Sequence, residues 1–251
     1  MKNIVVTGSS YGLGLAICQD LLSKNYRVYG VSRSPTDIDH RNFTWIQADL
    51  LNPIDIDKIP QLLSGITIDI LINNAGMTVE KPALNFSHQD YENLFGLNFV
   101  APIKMTVAVF GSNDPHGLVI NISSNSDRYP DPLWAMYGST KTALNLYFDT
   151  IALENSHLKV ISLLPSFINT PLLNNCYIEE NFNISTSMKP SEVAEYASSI
   201  VEHDGDFLSG SRIVVVNNAL EAIPEDLENL MIYNVETKNL DRIKWKPSPR
   251  R

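Results

Sequence analysis

The sequence is poor in the residues that would tie it to an oxidising compartment, a nucleic acid or a metal. Its 2 cysteines, Cys18 and Cys176, are too few for a disulfide framework. Cys18 falls on the inner face of an expected first helix, so both thiols are expected to be free in a reducing compartment. Positive charge is scarce: 19 Lys and Arg stand against 28 Asp and Glu, a formal net charge of −9, which argues against a nucleic-acid partner. The one basic cluster, Lys244, Lys246, Arg250 and Arg251, lies at the end of the sequence and reads as a solvated tail. His40, His88, His116, His157 and His203 are scattered without ligand spacing, so no metal is expected, and none is placed to serve as the base of a hydrolase. There is no low-complexity block and no repeat period, which excludes linkers and solenoids. No apolar run reads as a membrane span, and Met1-Lys2-Asn3 leads straight into Ile4-Val5-Val6-Thr7. No signal peptide, no membrane partner and a cytoplasmic location are therefore expected.

What remains has 44% hydrophobic and 19% charged residues over 251 positions, enough for one well-buried α/β core. Short apolar runs at 3–7, 27–31, 43–47, 68–72, 118–122, 159–164 and 212–216 alternate with helical stretches at 15–24, 53–63, 88–95, 98–110, 134–154 and 190–202. Apolar strands alternating with helices mean a parallel sheet covered on both faces, here a single Rossmann-like doubly wound sheet of about seven strands. Residues 1–219 are expected to form that domain, with 172–189 as a mobile cover. Residues 220–251 are an extension in which 225–233 is a candidate helix.

The chemistry-bearing residues fall at the carboxyl ends of these strands, where such sheets bind ligands. After the first strand, Thr7-Gly8-Ser9-Ser10-Tyr11-Gly12-Leu13-Gly14 runs into a helix. Glycines there let backbone N–H groups approach a pyrophosphate, and the helix N-terminus adds partial positive charge. The second strand ends in Ser32-Arg33, where a dinucleotide fold meets the adenosine ribose. An acidic residue at that point takes a 2′-hydroxyl, whereas an Arg suits a 2′-phosphate, which favours NADP(H) and leaves NAD(H) possible. Tyr137 and Lys141 are one helical turn apart on one face. An ammonium beside a phenol favours the phenolate and brings it toward proton exchange near neutral pH.

In order along the chain, Thr7-Gly8-x-x-x-Gly12-x-Gly14, Asp49-Leu50, Asn73-Asn74-Ala75-Gly76, Asn98, Ser124 and Tyr137-x-x-x-Lys141 resemble the short-chain dehydrogenase/reductase family in its compact form, from Asn3 to about Ala219. The resemblance implies a carbonyl/alcohol oxidoreductase with Asn98, Ser124, Tyr137 and Lys141 as its catalytic tetrad. By it, Tyr137 gives a proton to the carbonyl oxygen in reduction and takes it back in oxidation. Ser124 fixes that oxygen, Lys141 holds the nicotinamide ribose, and Asn98 positions a water beside Lys141. Gly8, Ser10, Tyr11, Gly12, Leu13 and Gly14 line the phosphates, Ser32 and Arg33 the ribose, and Asp49, Leu50, Asn74, Ala75 and Gly76 the adenosine side. Pro165, Ile168 and Thr170 face the carboxamide.

The same resemblance implies a small-molecule carbonyl or alcohol substrate and a homodimer or homotetramer built partly on the helices carrying Asn98 and Tyr137. Two departures stand out: Pro165-Ser166 replaces the family's Pro-Gly, and Asn217-Asn218-Ala219 replaces an Asp-Gly-Gly-like turn. Tyr129, Trp134, Phe167, Leu172 and Leu173 suggest a partly apolar substrate pocket. A second reading is a dinucleotide-binding regulator that senses redox state without turnover; it needs the glycine loop but has no use for Tyr137 and Ser124 together. A third, a nucleotide-sugar epimerase or dehydratase, needs a larger carboxyl-terminal substrate domain than 172–189 provides.

Overall fold

The computed structural model describes residues 1–127, 130–174, 187–215, 230–234 and 239–243. In chain order the elements are β1 (Asn3–Thr7), α1 (Gly12–Ser23), β2 (Arg27–Ser32), β3 (Phe43–Gln47), α2 (Pro53–Asp57), α3 (Ile59–Leu62), β4 (Ile70–Asn73), α4 (His88–Phe95) and α5 (Ala101–Phe110). There follow β5 (Gly117–Ile122), α6 (Ala135–Glu154), β6 (Leu158–Pro165), α7 (Pro171–Asn174), α8 (Pro190–Glu202), β7 (Ser211–Val215), β8 (Leu230–Asn234) and β9 (Asn239–Ile243).

The first seven strands pair in parallel in the order β3-β2-β1-β4-β5-β6-β7. Burial on both faces explains why the central strands β1, β4 and β5 are near-continuous apolar runs rather than alternations. Ile4, Val6, Ile70, Ile72, Leu118 and Ile120 face Ile17 and Leu21 of α1 and Val193, Ala197 and Ile200 of α8. Val5 and Leu71 face the other way, against Ile56, Ile59, Ala101 and Met105, and Val119 and Val160 meet Leu144 and Phe148 of α6. Each such side chain contributes about 1.5–3 kcal/mol on burial, and a one-residue slip would turn every one to the wrong face, so register is fixed from both sides. Strand order reverses between β1 and β4, which opens the crevice where such sheets bind ligands.

Several elements differ from the sequence expectation. Residues 230–233 of the candidate helix at 225–233 are instead part of β8. It pairs antiparallel with β7 through Arg212↔Tyr233 and Ile213↔Ile232 and forms a hairpin with β9. An open β7 edge would leave a row of unpaired backbone groups, and Leu-Met-Ile-Tyr suits a strand, so sheet pairing overrides the weak helical pattern. Residues 225–229 and the Asn217-Asn218-Ala219 turn lie outside the described residues. The expected helix at 53–63 breaks at Lys58 into α2 and α3, because Pro60 has no N–H to donate to Ile56. The stretch His88–Phe110 is one helical run of 23 residues holding an 18-residue window of mean hydropathy 1.4, so by length and composition it meets the measure of a membrane span, contrary to the sequence reading. Here it packs on the sheet with 33% of that window buried.

Candidate active site

Three segments that end β4, β5 and β6 converge on the first turns of α6. Lys141, 4% exposed, donates from Nζ to the Ile122 carbonyl at 2.9 Å and lies 5.6 Å from the centroid of the Tyr137 ring. The one-turn spacing read from the sequence therefore places an ammonium against the phenol. Tyr137 is buried, with its ring edge-on to Trp134 at 5.4 Å. Ser124 lies two residues past Ile122. Its hydroxyl shares a 3.1 Å hydrogen bond with the Ser126 hydroxyl and accepts the Ser126 N–H at 3.1 Å. Gly138 makes the junction possible: a methyl there would sit 2.8 Å from the Ser126 carbonyl oxygen, so only glycine lets the Ser124 loop press onto the turn bearing Tyr137.

Asn98 enters through a π-helical turn, Gly96–Val100, inserted between α4 and α5. Such single widened turns favour functional positions. The side chain, 1% exposed, accepts the Met77 N–H at 2.9 Å and donates to the Met77 carbonyl at 2.8 Å and to Thr140 Oγ1 at 3.1 Å. Thr140 in turn donates to the Tyr137 carbonyl at 2.7 Å. A methyl on Gly76 would lie 3.3 Å from Asn98 Oδ1 and 3.9 Å from Lys141 Nζ, so these groups share one small space. Thr140 was not singled out from sequence; its signal is a buried hydroxyl directly before Lys141.

Burial disfavours the charged form of Lys141 and lowers its pKa from 10.5 to about 8. The unfolded chain therefore holds this proton up to about pH 10.5 while the native state releases it near 8. Between those values the unfolded state binds more protons, so the group's contribution to stability rises with pH through that window. Below it the buried charge costs about 3 kcal/mol. Lys141→Met removes this dependence. The unfolding free energy of wild type minus that of the variant is expected to grow by about 3 kcal/mol between pH 7 and 10.5, measured by urea titration; a flat difference would show that the ammonium is not desolvated.

The dinucleotide cradle is built from backbone. Gly8 and Gly12 take left-handed φ values of 69° and 59°, and a methyl on Gly14 would overlap the Gly8 carbonyl oxygen and crowd Asn74 Nδ2. Asn74 Nδ2 donates to the Thr7 carbonyl at 2.9 Å, while Thr7 Oγ1 accepts the N–H groups of Asn74 and Ala75 at 3.0 Å each. Asn74 and Ala75 thus clamp the loop, and Thr7, missed from sequence as a site residue, is the pin. Tyr11 caps α1 in an extended conformation with no side-chain hydrogen bond, so the first N–H groups of the helix face the cradle with no protein cap. Thr170 approaches from the opposite side: a methyl on Gly12 would lie 3.5 Å from its Cβ. Uncapped donors, excluded side chains and a facing Thr170 fit a pyrophosphate.

At the end of β2, Ser32 is buried and its hydroxyl is occupied. It donates to the Ser34 carbonyl at 2.7 Å and meets Ser9 Oγ at 3.2 Å and Trp45 Nε1 at 3.1 Å. Ser32 shapes the strand end, and Arg33 is the exposed cation beside it, lining an open pocket of about 380 Å³ with Gln47, Asp49, Asp55 and Lys58. Asp49 accepts the Leu51 N–H at 3.0 Å, and Leu50 is buried beneath it.

Pro165 ends β6, and the Ser166 N–H donates to the Val215 carbonyl at 2.9 Å. Among the described non-glycine residues only Asn25, Asp114 and Leu133 have positive φ, so Ser166 sits in place of glycine without backbone strain. Ile168 bridges Met188. Trp134 also meets Phe167 edge-on at 6.4 Å. Leu173 is buried and Leu172 exposed, whereas Tyr129 and residues 175–186 lie outside the described residues.

Comparison with known proteins gives the family and the fold. The chain matches the short chain dehydrogenase family over residues 2–181. It is 28% identical over 253 residues to a benzil reductase, (S)-benzoin forming, from Bacillus subtilis (strain 168), covering 94% of this chain and 99% of that one. A 4-hydroxyisoleucine dehydrogenase complexed with NADH superposes with a TM-score of 0.73 at 26% identity, covering 89% of this chain and 100% of the other. An alcohol dehydrogenase from the archaeon Thermococcus sibiricus, complexed with 5-hydroxy-NADP, shares the fold with a TM-score of 0.75 at 20% identity, covering 90% and 99%.

Proposed function

The chain belongs to the short-chain dehydrogenase family, and from that premise we propose that it interconverts a ketone or aldehyde with an alcohol, using NADP(H) in preference to NAD(H) and Tyr137 as the general acid and base. The observation that carries this reading is the buried Lys141 ammonium held against the Tyr137 ring. A desolvated cation beside a phenol favours phenolate character while charge builds on the substrate oxygen. A sensor that never turns over has no need of it.

When bound, a nicotinamide would supply or accept the hydride, and the residues of this chain do the rest. Gly12, Leu13 and Gly14 would hold the phosphates through the uncapped turn of α1, and Lys141 would hold the ribose. Ser124 would orient the carbonyl oxygen, and Tyr137 would hand it a proton. Asn98 and Thr140 keep the Lys141 turn in register with the loop at Gly76.

Support for the phosphorylated cofactor comes from Arg33 standing exposed at the end of β2, since a guanidinium pairs a phosphate bidentately. Arg33→Ala is expected to raise the Kd for NADPH by about 10-fold or more, the worth of a charge-assisted hydrogen bond, and to leave NADH within about twofold, measured by nicotinamide fluorescence. Equal losses for both nucleotides would remove the assignment.

The Trp134, Tyr137 and Phe167 rings form an aromatic wall at the reacting end. Together with the similarity to a reductase of an aryl diketone, this supports a carbonyl bearing an aryl or similarly large apolar group, since aromatic edges and faces pair favourably. Exposed apolar side chains on the outer faces of α5 and α6, among them Val107, Leu146 and Leu153, support a homo-oligomer joined through those helices.

A further inference from the structure

We propose that the chain carries a divalent transition-metal site of the zinc class, made by His116, His157 and Asp114, at the end of the sheet opposite the active site. It is independent of the proposed reaction. Sequence spacing hides it, because the two histidines meet only through strand register. Gly117 pairs with Leu158 at the amino ends of β5 and β6, and the Gly117 N–H donates to the His157 carbonyl at 3.1 Å. His116 and His157 therefore stand side by side at strand spacing, about 4.7–4.9 Å. Their rings stack accordingly, 4.6 Å apart and within 10° of parallel.

The third group arrives by a turn. Asp114 adopts a left-handed φ of 55°, which brings its carbonyl 2.7 Å from His116 Nδ1. A carbonyl only accepts, so this Nδ1 bears the hydrogen and Nε2 keeps a lone pair. A histidine that gives its second ring N–H to a backbone carbonyl is oriented in the manner of a metal ligand.

His116 Nε2 lies 4.0 Å from Asp114 Oδ2. That is too far for a hydrogen bond and a little wider than the roughly 3.3–3.6 Å that separates two ligand atoms of a tetrahedral zinc with bonds of about 2.0–2.2 Å. Ligand atoms from all three residues lie within 4.8 Å of one another, and all three side chains are exposed, so the two rings are free to turn out of their parallel stack and direct their lone pairs at one ion. Two imidazoles and a carboxylate suit zinc, with a fourth position left for water. The ion would tie the turn before β5 to the connection between α6 and β6. It would sit far from Ser124, which lies past the carboxyl end of β5, and so act as a clamp on the scaffold.

The test is titration of the untagged, metal-free full chain with Zn²⁺ by calorimetry, with Co²⁺ absorption as a coordination probe. One site per chain is expected, together with a rise in Tm on adding Zn²⁺. Loss of an outer-shell partner alone costs about 10-fold or more in affinity, so His116→Ala and His157→Ala, which remove ligands, are expected to abolish both effects. His88→Ala, which removes another exposed histidine paired with Glu92, is expected to change neither. All three substitutions are at exposed positions, and circular dichroism checks that each variant folds. Failure of the wild-type chain to bind Zn²⁺ would overturn the proposal, as would undiminished binding by the His116→Ala/His157→Ala double variant.

Discussion

Tyr137→Phe is expected to lower kcat by about 10²–10⁴-fold, the range that a positioned proton donor contributes, while the Kd for NADPH changes by no more than about twofold. The substitution isolates the hydroxyl. A phenyl ring keeps the edge contact with Trp134 at 5.4 Å and the face presented to Lys141 at 5.6 Å, so neither α6 nor the cradle loses packing. Steady-state kinetics with nucleotide binding measured alongside distinguishes the possibilities. A fall in kcat with intact binding identifies the proton-transfer group, and retained turnover would place the acid elsewhere.

Arg212→Ala is expected to have the largest effect on stability, about 3–5 kcal/mol, which for a chain of this length lowers Tm by on the order of 10 °C. The Arg212 guanidinium on β7 bridges two carboxylates whose side chains are 2% and 6% exposed. It reaches Asp127 at 3.4 Å and makes a close ion pair with Asp149. Burial already raises the Asp149 pKa, and Arg212 opposes that rise. Without the guanidinium the native carboxyl would hold its proton to higher pH than the unfolded chain does. The deficit should therefore be largest near neutrality and shrink as pH falls. Adding Asp149→Asn should recover much of the loss, because it removes one of the stranded charges.

The same network reaches the active site. Asp127 accepts Asn145 Nδ2 at 2.8 Å, and its backbone carbonyl accepts the Thr142 hydroxyl at 3.1 Å. These bonds fasten the segment after Ser124 to α6. Arg212→Ala should therefore lower kcat as well, through loss of the Ser124 position. Unchanged stability across this pH range would mean that the two carboxylates are solvated rather than buried.

Most of the sheet was legible because β1, β4 and β5 are buried on both faces and so spell themselves as uninterrupted apolar runs. The candidate catalytic residues were legible for another reason: the proposed proton transfer needs particular side chains at particular spacings, and Tyr137 and Lys141 keep the helical turn that this chemistry would require. Groups joined by register rather than by spacing were not. His116 and His157 look unrelated until β5 pairs with β6, and Arg212 looks like an ordinary strand charge until β7 brings it over Asp127 and Asp149. The roles of the Thr7 and Thr140 hydroxyls were not legible, although Thr7 opens the glycine motif, because a buried hydroxyl pinning backbone leaves no periodic signature. The β8–β9 hairpin was hidden because its pairing depends on the open edge of β7, which lies elsewhere in the chain. Asn98, unfavourable in an ordinary helix, makes sense only once the π-helical turn directs it onto Met77 and Thr140.

In the proposed reaction the site transfers hydride between a reduced nicotinamide and a carbonyl. The most direct measurement mixes purified protein with NADPH, and separately with NADH, across a panel of aryl and alkyl ketones and aldehydes, following nicotinamide absorbance. Oxidation of NADPH by an aryl-bearing carbonyl, faster than with NADH and stopped by Tyr137→Phe, is the predicted result. Tight NADPH binding with no turnover across the panel would contradict it.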